Sequence, residues 1–143
     1  MRGNILVCCL SKKKLCMSMF GYYAKDGTGV MIEYEDTKSI TKAVKYVDQL
    51  PLITIDKTMP EQIEMQVYTK LNAWQHEEEI RAYIYRQDDN TKMIQTSHGL
   101  KIKGIYLGPR INEEYSKLVK EWSERKSIQV YEPIRNELGR LDW

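Results

Sequence analysis

The chain has 143 residues, of which 29% are charged and 42% are apolar, and its formal net charge is +2 at pH 7. This size and balance predict one globular domain, residues 1–143, that can fold without disulfides or metal, and they exclude a disordered chain. The charge is too close to neutral to indicate a nucleic-acid partner or an acidic membrane surface. Ten tyrosines against one phenylalanine indicate half-exposed rings, in a binding cleft or at an interface.

The N-terminal region indicates a cytoplasmic protein. Its three cysteines, Cys8, Cys9 and Cys16, show no disulfide or zinc-ligand pattern. Residues 5–10 form too short an apolar run for a signal sequence and are followed by lysines, so they are interpreted as a buried strand. No run has the length of a membrane span. Cys16 fits either a thiol activated by neighbouring lysines or a small buried side chain.

The first half of the chain predicts strands followed by a helix. After glycines at positions 27 and 29, residues 30–35 alternate apolar and polar side chains as a strand does. Residues 40–48 fit either a helix or a strand. Pro60 suits the first turn of a helix, and apolar side chains at helical spacing predict that this helix extends to Trp74.

The second half predicts strands around one capped helix. Turn residues at positions 88–90 indicate that residues 93–96 return as a hairpin partner, and residues 101–107 predict another strand. Asn112 is a good N-cap for a helix that carries one apolar stripe, and residues 128–131 predict a last strand. The whole pattern predicts an α+β fold with a mixed, mostly antiparallel sheet and two or three helices.

The acid-rich segment at residues 74–86 is the most informative part of the chain. Alternation along a strand would place five of its polar and aromatic side chains on one face, namely Glu77, Glu79, Arg81, Tyr83 and Tyr85. Two interpretations are open. The face is either a solvent-exposed surface on which Arg81 neutralises Glu79, or a site in which two carboxylates with different pKa values divide catalytic roles.

Other chemistries have weaker signals. The two histidines lie on different predicted elements, so no metal site is expected. The chain has no Gly-x-Ser-x-Gly nucleophile motif. The glycines at positions 27 and 29 lack the lysine and the third glycine of phosphate-binding loops. The basic run at residues 12–14 is interpreted as a solvated loop.

Several pieces of the chain occur in the order typical of one known family. They are residues 9–12, 19–24, 29–35 and 44–46, then Lys70, a Trp-x-x-Glu-x-Glu-x-Arg pattern at residues 74–81, and residues 105–110. In this order they resemble a bacterial family, domain-of-unknown-function family 2971. The family usually has a histidine where this chain has Tyr22, and it usually begins with an additional segment. The chain is therefore expected to correspond to the C-terminal part of the family domain.

The family's order of motifs is similar to that of ADP-ribosyltransferases. The resemblance implies a bacterial or phage-derived protein with a degenerate ADP-ribosyltransferase-like fold, for which NAD is a substrate and no cofactor is permanently bound. It implies that Glu77 or Glu79 binds the nicotinamide ribose and stabilises an oxocarbenium-like transition state. Tyr22 or Tyr23 would stack on the nicotinamide. The remaining implied binding residues are Trp74, Arg81 and Tyr83.

Two other functions stay open. The tyrosine-rich composition also suits a non-catalytic module that binds a protein partner or forms a homodimer. Tyrosine and lysine side chains also suit binding of a nucleotide or nucleic acid without chemistry, although the small net charge weighs against nucleic acid. A concave pocket beside the acid-rich strand would favour the enzyme, and an exposed apolar patch would favour the interaction module.

Overall fold

The structure is a computed structural model that describes residues 4–86, 98–135 and 141–143. In chain order its elements are β1 (Asn4–Ser11), α1 (Met17–Tyr23), β2 (Val30–Asp36), β3 (Lys42–Ala43), β4 (Lys45–Val47), α2 (Met59–Val67), β5 (Thr69–Leu71), a 3₁₀ helix (Asn72–Glu77), β6 (Glu79–Arg86), β7 (Leu100–Leu107), α3 (Glu113–Arg125), β8 (Gln129–Tyr131), β9 (Ile134–Arg135) and β10 (Leu141–Asp142). The predicted hairpin partner at residues 93–96 lies outside the described residues.

Residue contacts divide the chain into two compact units, the first formed by Met1–Lys14 with Asp36–Gly99 and the second by Leu15–Glu35 with Leu100–Trp143. Each unit contains two parallel strands joined through a helix, β4–α2–β5 in the first and β7–α3–β8 in the second. A helix supplies the crossover that parallel neighbours require. The pairs β1–β6, β3–β6 and β9–β10 are antiparallel. The protein is a mixed α+β protein with mainly antiparallel sheets, as the sequence predicts, while the single domain over residues 1–143 stays a prediction.

The first unit has a three-stranded sheet with β6 between β1 and β3. The ambiguous residues 40–48 form the short strands β3 and β4. The strand predicted at residues 5–10 is confirmed, but the prediction that it is buried is wrong, because Val7 is 42% exposed and Cys9 is also exposed. β1 is at the edge of this sheet, so fewer neighbours cover its alternate side chains.

Helix α2 packs its apolar side against β1 and β6. The buried cluster consists of Ile63, Val67 and Tyr68, with the partly buried Ile5 and Tyr83 packed against it. Pro60 lies in the first turn of the helix, as predicted. The predicted extension to Trp74 is wrong, because the helix ends at Val67 and the next residues pair with β4 as β5. Pairing with a distant strand overrides the local helical spacing.

The second unit has a three-stranded sheet in the order β2–β7–β8. All three strands meet at Tyr106, whose ring stacks on Tyr131 with a centroid distance of 4.5 Å. Its hydroxyl donates a hydrogen bond to the Glu33 carboxylate at 2.7 Å. Burial together with this hydrogen bond raises the pKa of Tyr106 to about 12. The three strands predicted in this unit, at residues 30–35, 101–107 and 128–131, are confirmed.

Helix α1 has no counterpart in the sequence prediction. Its Phe20 is buried and stacks on Trp143 with a centroid distance of 5.6 Å. The indole N–H of Trp143 in turn donates a hydrogen bond to the Leu107 carbonyl at 2.9 Å. The C-terminal residue is thus fixed both to α1 and to the end of β7.

Helix α3 begins where the sequence predicts. The side-chain oxygen of Asn112 accepts a hydrogen bond from the Tyr115 backbone N–H at 2.8 Å, which caps the helix. The predicted apolar stripe is largely exposed, since the exposed fractions of Tyr115, Leu118 and Trp122 are 57%, 54% and 40%. The buried residue of this helix is Ser123, which is a polar side chain.

Candidate functional site

The acid-rich segment turns sharply before it enters β6. Glu77 ends the 3₁₀ helix, and Glu78 has left-handed backbone angles, φ 47° and ψ 50°. The end of β1 holds this turn, because the Ser11 hydroxyl donates to the Glu77 carbonyl at 2.6 Å and the Lys12 N–H donates to the Glu78 carbonyl at 3.0 Å. The prediction that Glu77 lies on the strand is therefore wrong, since β6 begins at Glu79.

The turn nevertheless brings the two carboxylates to one ammonium group. Lys70 of β5 lies 2.5 Å from Glu77 Oε2 and 3.0 Å from Glu79 Oε2. Its Nζ atom also lies 5.0 Å from the centre of the Trp74 ring, within the range of a cation–π interaction. Burial alone would lower the pKa of Lys70, but the hydrogen bonds to the two carboxylates outweigh it and raise the pKa.

The Glu79 carboxylate accepts hydrogen bonds from four donor atoms. Arg81 binds it through two nitrogens, with Nε 2.7 Å from Oε1 and Nη2 2.9 Å from Oε2. Lys70 Nζ is the third donor, and the Cys9 thiol is the fourth. An ionised carboxylate has about four lone-pair sites, so these donors use its acceptor capacity.

The ionisation of Glu79 follows from these contacts. Burial would raise its pKa, but hydrogen bonds from Arg81, Lys70 and Cys9 outweigh burial and lower the pKa to about 2. The same neighbourhood raises the pKa of the Cys9 thiol to about 11, because the thiol is partly buried and faces the negative charge of Glu79. At neutral pH the group is therefore a carboxylate beside a protonated thiol, which suits neither a general base nor a cysteine nucleophile.

Arg81 also connects the cluster to helix α2. Its Nη1 atom donates a hydrogen bond at 2.5 Å to the carbonyl of Val67, the last residue of that helix. Helix C-termini leave carbonyl groups without intrahelical partners and favour nearby positive charge. The hydrogen bond with Glu79 raises the pKa of Arg81 further above its ordinary value, so the guanidinium keeps its charge.

The four charged side chains form one buried, balanced network, which we call the charge cluster: Lys70, Glu77, Glu79 and Arg81. Their side chains are 20%, 3%, 6% and 15% exposed, respectively. The interpretation of this face as a solvent-exposed ion-pair surface is therefore wrong. Helix α2, β5 and the 3₁₀ helix cover the side of the sheet that the sequence pattern marks as polar.

The other predicted site residues lie in three different surroundings. Trp74 is beside the charge cluster, 43% exposed, and its ring stacks near His76 at a centroid distance of 6.1 Å. Tyr83 packs its ring edge against Tyr68, in the core of the first unit. Tyr22 and Tyr23 belong to α1 of the second unit and are each 64% exposed. The structure thus groups Trp74 with the predicted carboxylates and with Arg81.

Two contributors to the charge cluster were not among the predicted site residues. Cys9 lies opposite Arg81 in the pairing of β1 with β6, and the Tyr46 hydroxyl accepts a hydrogen bond from the Glu79 backbone N–H at 2.8 Å. Both lie on strands that are more than 30 residues from Glu79 in sequence. The register of β1 against β6 places Cys9, and the pairing of β4 with β5 places Tyr46, so no local pattern reveals either.

Metal binding has no visible basis in the described ranges. They contain no group of three or more histidine, cysteine, aspartate or glutamate side chains placed to hold a metal ion. Cys16, which the sequence left open as a reactive thiol, has its Sγ atom 3.0 Å from the Ser18 hydroxyl. In residues 4–86, 98–135 and 141–143, no helix combines the length and the apolar character needed to cross a membrane. The cytoplasmic location stays a prediction.

Comparison with models of known families, with curated proteins and with solved structures gives no match for this chain. The resemblance to domain-of-unknown-function family 2971 accordingly stays a prediction. The class established for the protein is that of a mixed α+β protein, and its function has to be argued from the geometry alone.

Proposed function

We propose that the protein is a non-catalytic interaction module that self-associates through one exposed apolar segment of its first unit. The observation that supports this proposal is the exposure of residues 50–59, which we call the apolar segment. It comprises most of the loop between β4 and α2 together with Met59, the first residue of α2, and its large apolar side chains are exposed. Their exposed fractions are 57% for Leu50, 84% for Leu52, 49% for Ile53, 104% for Ile55 and 64% for Met59.

Such a concentration differs from the scattered apolar residues of an ordinary surface. Single exposed leucines are common, but several in one short segment are typical of an interaction site. Burying a large aliphatic side chain stabilises by about 1.5–3 kcal/mol, so five would contribute about 8–15 kcal/mol. In a symmetric dimer both copies would bury the segment, for about 15–30 kcal/mol in all. This is enough to offset an association cost of about 4–15 kcal/mol and leave about 8 kcal/mol, the value for a micromolar complex.

The charge cluster supports this proposal because its contacts indicate a structural role and not a catalytic one. Its carboxylates are buried and neutralised by Lys70 and Arg81, and Arg81 holds the end of the helix that the apolar segment precedes. A ligand would have to displace these internal hydrogen bonds to reach Glu79. The cluster therefore fixes α2 on the sheet while the segment before α2 stays available to a second copy.

The test is the oligomeric state of a double variant, Leu52→Asp with Ile55→Asp. We expect the wild-type protein to be a dimer at micromolar concentration in sedimentation and light scattering, and the double variant to be a monomer with an unchanged circular dichroism spectrum. Leu118→Asp is the matched control, since Leu118 is 54% exposed on α3 in the other unit. A wild-type monomer at about 100 μM would contradict the proposal, as would dissociation by Leu118→Asp alone.

A second candidate is the ADP-ribosyltransferase-like reaction with NAD that the family resemblance implies. The observation in its favour is Trp74, whose partly exposed ring lies beside Lys70 and the two carboxylates and could stack on a flat ligand ring. Glu77 or Glu79 would then bind the nicotinamide ribose.

NAD itself tests the second candidate. The enzyme should release nicotinamide from NAD and show a thermal shift on adding NAD, and Glu77→Gln should abolish the release. If NAD shifts the melting temperature without nicotinamide release, nucleotide binding without chemistry is favoured instead. If NAD causes neither a thermal shift nor nicotinamide release, both alternatives are excluded.

A further inference from the structure

A second surface, in the second unit, has the features of a peptide-binding groove. The last turns of α3, the strand β8 and the residues that flank it line a shallow, open groove of about 330 Å³. Its lining residues include Lys120, Ser123, Glu124, Gln129, Val130 and Glu132. None of them belongs to the apolar segment or to the charge cluster, so this groove is independent of the proposed self-association.

The floor of the groove has an unsatisfied polar group. Ser123 is 1% exposed, and within the described part of the chain its hydroxyl has no hydrogen-bond partner. Buried hydroxyls are normally paired, and a serine in a helix usually bonds the carbonyl of the preceding turn. Ser123 lines the groove, and a ligand whose polar atom reached its hydroxyl would supply the missing hydrogen bond.

The wall of the groove is a sheet edge. β8 pairs with β7 on one side, and among the described strands it has no neighbour on the other. The Gln129 carbonyl faces Gly104 of β7, so the alternation of a strand directs the backbone groups of Val130 to the open edge. The Gln129 side-chain amide donates to the Val130 carbonyl at 3.1 Å, an exposed hydrogen bond that the backbone N–H of an added strand would replace.

The charges of the groove select the side chain of the ligand. Lys120 pairs with Glu132 at 2.6 Å, which leaves Glu124 as an additional negative charge among the lining residues. Like charges repel and opposite charges attract across such a rim. We propose that the groove binds an extended peptide segment of a partner protein that pairs with the edge of β8 and carries a lysine or arginine side chain toward Glu124.

The test uses an acetylated and amidated seven-residue peptide of alternating threonine and valine with a central lysine, and the same peptide with a central glutamate. Binding is followed by amide chemical shifts. We expect shifts centred on Ser123 and Val130, and at least about tenfold weaker binding of the glutamate peptide. Absence of binding by the lysine peptide at about 1 mM would overturn the proposal, and equal binding of both peptides would do the same.

Two variants separate the groove from general effects of charge and folding. Glu124→Lys should weaken binding of the lysine peptide about tenfold, whereas Glu121→Lys, on the same helix but outside the lining, should change it less than about twofold. Ser123→Ala should weaken binding while the unfolding midpoint stays constant or rises, because it removes an unsatisfied hydroxyl. Equal effects of the two charge reversals would overturn the proposal. Light scattering on the same samples reports the self-association separately.

Discussion

Replacing Glu79 by glutamine distinguishes a structural from a catalytic carboxylate. The amide has nearly the same size and keeps one acceptor oxygen for Arg81, but it has no charge and turns an NH₂ group toward another donor. Lys70 and Arg81 would then share Glu77 as the remaining carboxylate of the cluster, in a largely buried position. A structural carboxylate should therefore be costly to replace, while a catalytic one should not.

The loss of stability expected for Glu79→Gln can be worked out in two ways. The pKa of Glu79 falls from 4.5 to about 2 on folding, and at about 1.4 kcal/mol per pKa unit this corresponds to about 3 kcal/mol. Breaking a buried ion pair by removing one partner costs about 3–5 kcal/mol. We therefore expect Glu79→Gln to lower the free energy of unfolding by about 3–4 kcal/mol, or the melting temperature by about 10 °C.

Urea denaturation at pH 7, followed by circular dichroism, measures this loss. Glu78→Gln is the matched control, because Glu78 is the next residue and its side chain is 55% exposed in a looser pair with Lys13. The control should change the free energy of unfolding by less than about 0.5 kcal/mol. A Glu79→Gln protein as stable as the control, but without nicotinamide release, would refute the structural role.

The pH dependence gives the same test a second readout. A carboxyl whose pKa is lowered by folding contributes stability above its unfolded pKa and loses it as pH falls through the folded pKa. For Glu79 this window runs from 4.5 down to about 2. The stability difference between wild type and Glu79→Gln should be constant above this window and shrink within it. A difference that does not change between pH 5 and about pH 2 would show that the charge is not responsible.

Two further predictions concern the second unit and are measured by the same denaturation assay. A methyl group on Gly108 would overlap the backbone carbonyl oxygen of Gly27, so Gly108→Ala should cost about 2–3 kcal/mol. Gly21 of α1 has open space around the same position, and Gly21→Ala should gain up to about 1 kcal/mol; a similar loss at both glycines would contradict the packing argument. Asn112→Ala removes the cap on Tyr115 and should cost about 1 kcal/mol, whereas no loss would mean that solvent replaces the cap.

Elements with strong local signals could be predicted from the sequence. Alternation located β2, the run that ends before Gly108 located β7, and Asn112 located the start of α3. Helix α1 has no side-chain cap bond and no acidic residue in its first turn, so no local signal marks it. The end of α2 also escaped prediction, because the spacing of apolar residues continues past Val67 while pairing between β4 and β5 decides the conformation.

The candidate site could also be predicted only in part, because distant parts of the chain complete it. The sequence pointed to Glu77, Glu79 and Arg81, which the structure does bring into one cluster. It could not show that the carboxylates are buried, because their covering elements come from other parts of the chain. Nor could it place Cys9 opposite Arg81, since strand register is a property of the sheet and not of either strand.

The attachment of Arg81 to the end of α2 bears on how the sheet chooses its alignment. Shifting β6 by one residue against its neighbours would exchange its two faces. Glu79 and Arg81 would then lose their contacts with Lys70 and the Val67 carbonyl. Apolar side chains such as Ala82, which is fully buried in the native sheet, would move to the opposite face. Misaligned sheets would have to bury unmatched charges, so we expect the charge cluster to disfavour alternative registers during folding as well as to stabilise the correct one.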